Sequence, residues 1–318
     1  MKKYLMLCTC LLWLCLAHIQ AQSCCAGGGS CCCSASGGSS ILPELDRHII
    51  GLNYSYSSYR TTTYPGMMMM SGGEMVMSGP GVATRGTMNT VQAFARFNLP
   101  KRFQIAVSVP VHFLKEASSS ETDRSAGLGD VSVMGFYSFF NPDKFSGKKS
   151  KHQIRIGIGV KAPTGRFDMA DGMFTSDLVL GTGSVDFIFN LNYTYRFRKF
   201  GVSMAPLYKK NLANKDGYRF GDNAGGDVNA FYVFKLPKGF TVTPKIGAKY
   251  NYMFYNVYDK ALLTGTGGSV VRANAGIDIY YKRFALSASL APVLVCVNNW
   301  YTEPSPVLSF ESGLYYSF

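Results

Sequence analysis

The residues best suited to chemistry lie near the start of the chain. Cys24, Cys25, Cys31, Cys32 and Cys33 place five thiols within ten positions, with Gly27-Gly28-Gly29 between the two groups. Thiolates bind soft ions such as Cu(I) and Zn(II), and the glycines would let the backbone wrap around one. The spacing is not the usual two-residue separation of zinc pairs. In an oxidising compartment the same residues form disulfides, with bridges between the groups because adjacent cysteines pair poorly. The odd count then leaves one thiol for Cys296, a partner or a lipid. Met67 to Met70, with Met75 and Met77, add thioethers in a loop. These also suit Cu(I), and equally suit an adaptable apolar loop tip.

A second group of chemically capable residues is spread along the chain. Arg96, Arg155, Lys161, Arg196, Lys235, Lys245, Lys249 and Arg272 all fall in the polar phase of alternating segments. Asp130, Asp186, Asp278 and Glu311 oppose them in the same phase. Cations in excess inside a narrow channel concentrate anions. The same charges can also pair and brace a wall filled by its own side chains.

Enzyme constellations are thin. His18, His48, His112 and His152 have no partner at ligand spacing. His112, among apolar neighbours, reads as a satisfied structural histidine. The apolar face shows no Ser–His pair of the kind some outer-membrane lipases use. The glycine runs at 81–86 and 265–268 lead into strands, not helices, which excludes a phosphate loop. The chain is read as no enzyme, with no cofactor other than the copper or zinc its cysteines would take.

The elements that position these residues follow from periodicity. Phe103, Ile105, Val107, Val109, Val111 and Phe113 alternate with Gln104, Ala106, Ser108, Pro110 and His112. The same period of two runs through 153–162, 185–197 and 240–254. Side chains of a strand point alternately to opposite faces, and helical spacing cannot produce such rows. One face is apolar along its length, whereas the other is small, polar and hydrated. That is the pattern of a membrane barrel with lipid outside and water inside. Phe103, Phe113, Tyr195, Phe197, Tyr252, Phe254, Tyr281 and Phe284 sit at strand ends, where aromatic girdles meet headgroups.

The turns give the topology. Leu99–Arg102, Arg198-Lys199, Leu236–Gly239 and Lys282-Arg283 are short and basic, and Asn141–Lys151 is a longer member of the set. Long loops alternate with them near 61–86, 116–126, 164–181, 211–226, 258–269 and 298–305. Strands start near His48, Thr87, Phe103, Leu128, Gln153, Ser184, Phe200, Asp227, Phe240, Ser269, Phe284 and Pro306. The expected fold is all-β: a closed antiparallel transmembrane β-barrel of about twelve strands, with periplasmic N- and C-termini. Closure is required because lipid offers no partner to edge backbone groups.

Composition and ends agree. The chain has 318 residues, of which 16% are charged, below the roughly 25% of soluble domains. The net charge of +13 is carried by scattered Lys and Arg, which excludes a nucleic-acid surface. Residues 1–21 read as a signal peptide: Lys2 and Lys3, an apolar run from Tyr4 to Ala17, and a cleavage site at Ala21. Lipid attachment at Cys24 is the alternative. Residues 22–47 form a Cys/Gly/Ser-rich flexible segment and connector, and 48–318 the barrel. The last strand ends Leu314, Tyr316, Phe318, an ending that resembles the signal read by the barrel-assembly machinery.

Three segments carry a family likeness: Gly127-Leu128-Gly129-Asp130-Val131, then Gly159-Val160-Lys161-Ala162-Pro163-Thr164-Gly165, then Gly181-Thr182-Gly183-Ser184-Val185-Asp186-Phe187. In this order they resemble the transporter-like outer-membrane proteins grouped under a meta-cleavage phenol degradation pathway. The Cys-rich start, Ile41-Leu42-Pro43 and His48–Leu52 are similar to exported barrels of Bacteroidetes-type bacteria. The resemblance implies an outer-membrane barrel of a Gram-negative bacterium that transports small molecules. The resulting expectation is a channel for small solutes, anions among them, through a basic lumen. The alternatives are a metal-binding surface protein anchored by its barrel, and a structural barrel with a filled lumen.

Overall fold

In a computed structural model the described residues are 47–63, 66–69, 75–78, 82–117, 122–139, 150–167, 179–263, 266–298 and 308–318. Among them twelve antiparallel strands close into a barrel. They are β1 (Ile49–Thr63), β2 (Val82–Asn98), β3 (Phe103–Ala117), β4 (Thr122–Leu128 and Ser132–Ser138) and β5 (Ser150–Lys161). Then come β6 (Asp186–Phe197), β7 (Phe200–Met204 and Leu207–Asn211), β8 (Asn223–Tyr232 and Phe234–Lys235) and β9 (Phe240–Met253). The last are β10 (Gly268–Tyr281), β11 (Phe284–Asn298) and β12 (Leu308–Ser317). Each pairs with its chain neighbours, and β12 closes on β1 from Ser317 opposite Ile49 to Leu308 opposite Ser58. No helix among the described residues is long and apolar enough to cross a membrane; the crossing is made by strands.

The outward rows are those the alternation predicts. Ile158 and Leu52 are more than half exposed, and Ile246 is 68% exposed. In water such rows would be costly; facing hydrocarbon they cost nothing. At the short-turn end Phe103 packs on Tyr137, Phe240 stacks on Tyr281, and Phe284 lies on Tyr316 at 5.1 Å. Both described chain ends meet there: Phe318 N–H donates to the His48 carbonyl, and the two rings lie 5.4 Å apart.

Three expectations change. First, the hairpins are taller: β1 and β2 pair from Thr63 and Val82, and β3 and β4 from Ala117 and Thr122. The polar ends of these strands gain ladder hydrogen bonds without needing a hydrophobic pattern. Second, the loops at 211–226 and 258–269 hold a small sheet of Tyr218–Arg219, Asn256–Tyr258 and Ala261–Leu263. Third, the methionine loop contains a hairpin, Gly66–Met69 paired with Met75–Ser78. The signal segment, the Cys segment and the connector up to residue 46 lie outside the described residues.

Candidate functional site

The barrel interior is the one place where the fold gathers polar and ionisable groups from many strands. It is not simply small and hydrated, as its sequence phase suggests. Ile49, Phe94, Ala106, Met134, Phe136, Ile188, Ala285 and Tyr315 point inward and pack as a buried cluster. These residues keep the inward phase of their strands, as alternation places them, but their apolar character departs from a small, hydrated inner face. The inward glycines Gly51 and Gly157 leave room for the Tyr315 and Phe136 rings respectively. A barrel of this diameter is narrow enough for its own side chains to meet.

The interior charges fall into three groups. At the long-loop end, Lys161 Nζ lies 2.6 Å from both Asp130 Oδ2 and Asp186 Oδ2. Asp130 also accepts from the Gly165 and Thr182 backbone N–H groups, both at 2.9 Å, and Ser184 donates to Asp186 at 2.8 Å. Thr164 donates to the Gly129 carbonyl and accepts from Val131 N–H. The three motif segments are thus one knot that ties the ends of β4, β5 and β6. A Cβ on Gly181 would lie 2.5 Å from Asp130 Oδ1 and 2.8 Å from the Gly165 backbone, so only glycine allows this approach.

The second group lies on β8 to β12. Lys245 meets Asp278 at 2.7 Å, both fully buried, and Lys249 reaches Glu311 at 2.7 Å from three strands away. Glu311 also feels Lys245 and Arg272, and Asp227 lies in the same field. Asn229 donates to Asp227 at 2.5 Å and accepts from Asn274 at 2.6 Å. Here Lys245, Lys249 and Arg272 stand against Asp227, Asp278 and Glu311, a balanced set.

The third group is Arg96 on β2 and Arg155 on β5, and it is not balanced. Neither forms an ion pair among the described residues. Arg155 donates to Gln104 Oε1 at 3.3 Å and lies over the Phe136 ring at 5.1 Å. Arg96 is 6% exposed, and the two guanidinium groups are near enough to repel. The Nε–H of each has no hydrogen-bond partner.

The remaining expected residues are placed as follows. Arg196 sits near the short-turn end, opposite Lys151 and Gly201. His112 is buried and bonds Thr90 Oγ1 at 2.8 Å, a satisfied histidine. Sequence reading missed Lys209, Asp227 and Glu116 as interior residues. Lys209 and Glu116 keep the inward phase of their strands: Lys209 lies inside the expected strand, and continuing the alternation past the expected end of β3 finds Glu116. Contrary to the expectation that the apolar face carries no Ser–His pair, Ser150 Oγ lies 3.5 Å from His152 Nε2 there. His152 Nδ1 is 2.9 Å from Tyr193 Oη. Ser150 had been counted in the preceding turn; β5 begins with it. Among the described residues no group of three or more His, Cys, Asp or Glu is placed to hold a metal. Cys24, Cys25, Cys31, Cys32 and Cys33 lie outside them, and Cys296 is a buried free thiol beside Val270.

Residues 78–290 match the model of the family described as "Putative MetA-pathway of phenol degradation". The chain belongs to that family. The family resemblance therefore stands, and the knot around Asp130 is what its three segments build in this chain. The structure is similar to that of an outer membrane channel from Pseudomonas putida F1, at 14% identity and TM-score 0.62, covering 86% of this chain and 96% of that one. The beta domain of the Bordetella autotransporter BrkA aligns at 11% identity and TM-score 0.47, over 85% of this chain and 99% of the other. No curated protein matches. With its lipid-facing rows, girdle and closed topology, this family member has the fold of a transmembrane β-barrel.

Proposed function

We propose that the barrel passes small solutes across the outer membrane and prefers anions. The observation that carries this is the charge inventory of the interior. The knot and the β8–β12 network neutralise their own cations, while Arg96 and Arg155 remain without a carboxylate partner. Two unpaired guanidinium groups inside a narrow wall hold a positive potential that draws anions and repels cations. The similarity of the fold to an outer membrane channel supports the channel part of this reading.

The passage is gated rather than permanently open. Asp186, Asn274 and Asp278 have no exposed surface although they point into the lumen, so solute must displace interior side chains. This same burial favours the second reading, a structural barrel filled by its own side chains.

Liposome swelling with the full, refolded protein tests the proposal. Small organic anions should enter faster than neutral solutes of equal size. Liposomes that admit neither, while holding demonstrably folded protein, would favour the filled barrel.

A further inference from the structure

We propose that Arg96 and Arg155 form a carboxylate-binding site inside the barrel, selective for monocarboxylates with an apolar body. The inference deepens the channel reading, because it names the solute class that the interior would select.

Arg96 pairs in register with Ala106 of β3, and Ala106 with Met134 of β4. Gln104, one inward position nearer the short turns, pairs with Phe136, which pairs with Gly157 of β5. Arg155 is the next inward residue beyond Gly157 and reaches back to Gln104. The two arginines thus converge across β3 and β4, beside the small inward Ala106.

The energetics point to a missing partner. A buried polar group without a hydrogen bond is costly, and like charges held together in a low-dielectric interior add to that cost. The knot and the network of this same barrel show how the fold treats its structural lysines: Lys161, Lys245 and Lys249 each have a carboxylate within 2.7 Å. The arginine pair is given none. An anion bridging the two would satisfy the Nε–H groups and cancel the repulsion. Guanidinium presents a planar fork that matches the two oxygens of a carboxylate.

The surroundings set the rest of the ligand. Arg155 lies against Phe136, and Phe136, Phe94, Met134 and Ile49 belong to the apolar cluster next to the pair. A ligand with a charged head and an apolar body finds both halves matched. A small hydrated anion finds only the head.

Calorimetric titration of the folded, full chain in detergent tests the site, with benzoate, its neutral analogue benzamide, and acetate as probes. Benzoate should bind at least about tenfold tighter than benzamide, the scale of one charge-assisted hydrogen bond, and tighter than acetate. The double variant Arg96→Gln, Arg155→Gln should lose that preference, and Arg96→Lys, Arg155→Lys should restore part of it. Equal binding of benzoate and benzamide to the wild type overturns the site, whatever the variants do. Acetate binding as tightly as benzoate overturns the apolar half. Solute flux without benzoate preference removes the site and keeps the channel; benzoate binding without flux does the reverse.

Discussion

The knot at Asp130 and the arginine pair at Arg96 and Arg155 use similar residue types to opposite ends. In the knot, Lys161 has two carboxylates, and its neighbours Thr182, Gly165 and Ser184 satisfy those carboxylates in turn. In the pair, two cations face each other with Nε–H groups unmet. Charge inside a barrel is therefore no guide to function by itself. What separates a structural charge from a functional one is whether the fold has supplied its counter-charge.

Substitutions sharpen the contrast. Lys161→Ala should have the largest effect on stability, since it leaves Asp130 and Asp186 buried without their cation. Such uncompensated charges cost about 3–5 kcal/mol, read as a lower urea midpoint for unfolding in lipid. Gly181→Ala forces a methyl group into Asp130 and the Gly165 backbone, and should cost about 1–3 kcal/mol by overpacking. Arg96→Gln removes a cation that has no partner. Stability should not fall, because the variant relieves like-charge repulsion in a low-dielectric interior, while anion preference falls. A loss as large as that of Lys161→Ala would erase the distinction between the two regions.

The smallest effect concerns the loop side of β7 and β8. Burial opposes the charge on Asp222. Hydrogen bonds from Lys210 at 2.7 Å, Asn211 N–H at 3.0 Å and Tyr208 at 2.9 Å outweigh it and hold the carboxyl below its ordinary range. A depressed folded value means that the stabilisation is complete above the ordinary carboxylate pKa and is lost as pH falls through the folded value. Protection factors at residues 211–222, corrected for the intrinsic pH dependence of amide exchange, should therefore fall on acidification, and Asp222→Asn should flatten that dependence.

The barrel was legible because lipid outside and closure inside impose period two on every strand. Rows such as Ile105, Val107 and Val109, and turns such as Lys282-Arg283, leave little freedom in strand count or direction. The lumen was less legible. Phase puts Phe94, Met134 and Ile188 on the inner face, but only three-dimensional packing shows them meeting as a cluster. Sequence likewise offered Lys161, Lys245 and Arg96 as equals. The lysines' partners come from other strands, as far off as Glu311 for Lys249 at a separation of 62 residues, and no local signal encodes those pairings or the lack of one at Arg96. The motif segments were recognisable, yet their role as a knot appears only when Gly165, Gly181 and Asp130 are seen in contact.

The most direct test of the central claim is single-channel current across a salt gradient in planar bilayers, for the wild type and for Arg96→Gln, Arg155→Gln. The account predicts gated, anion-selective openings, and a reversal potential that moves towards zero in the double variant. Cation-selective current, or silence from protein shown to be folded and inserted, would contradict it.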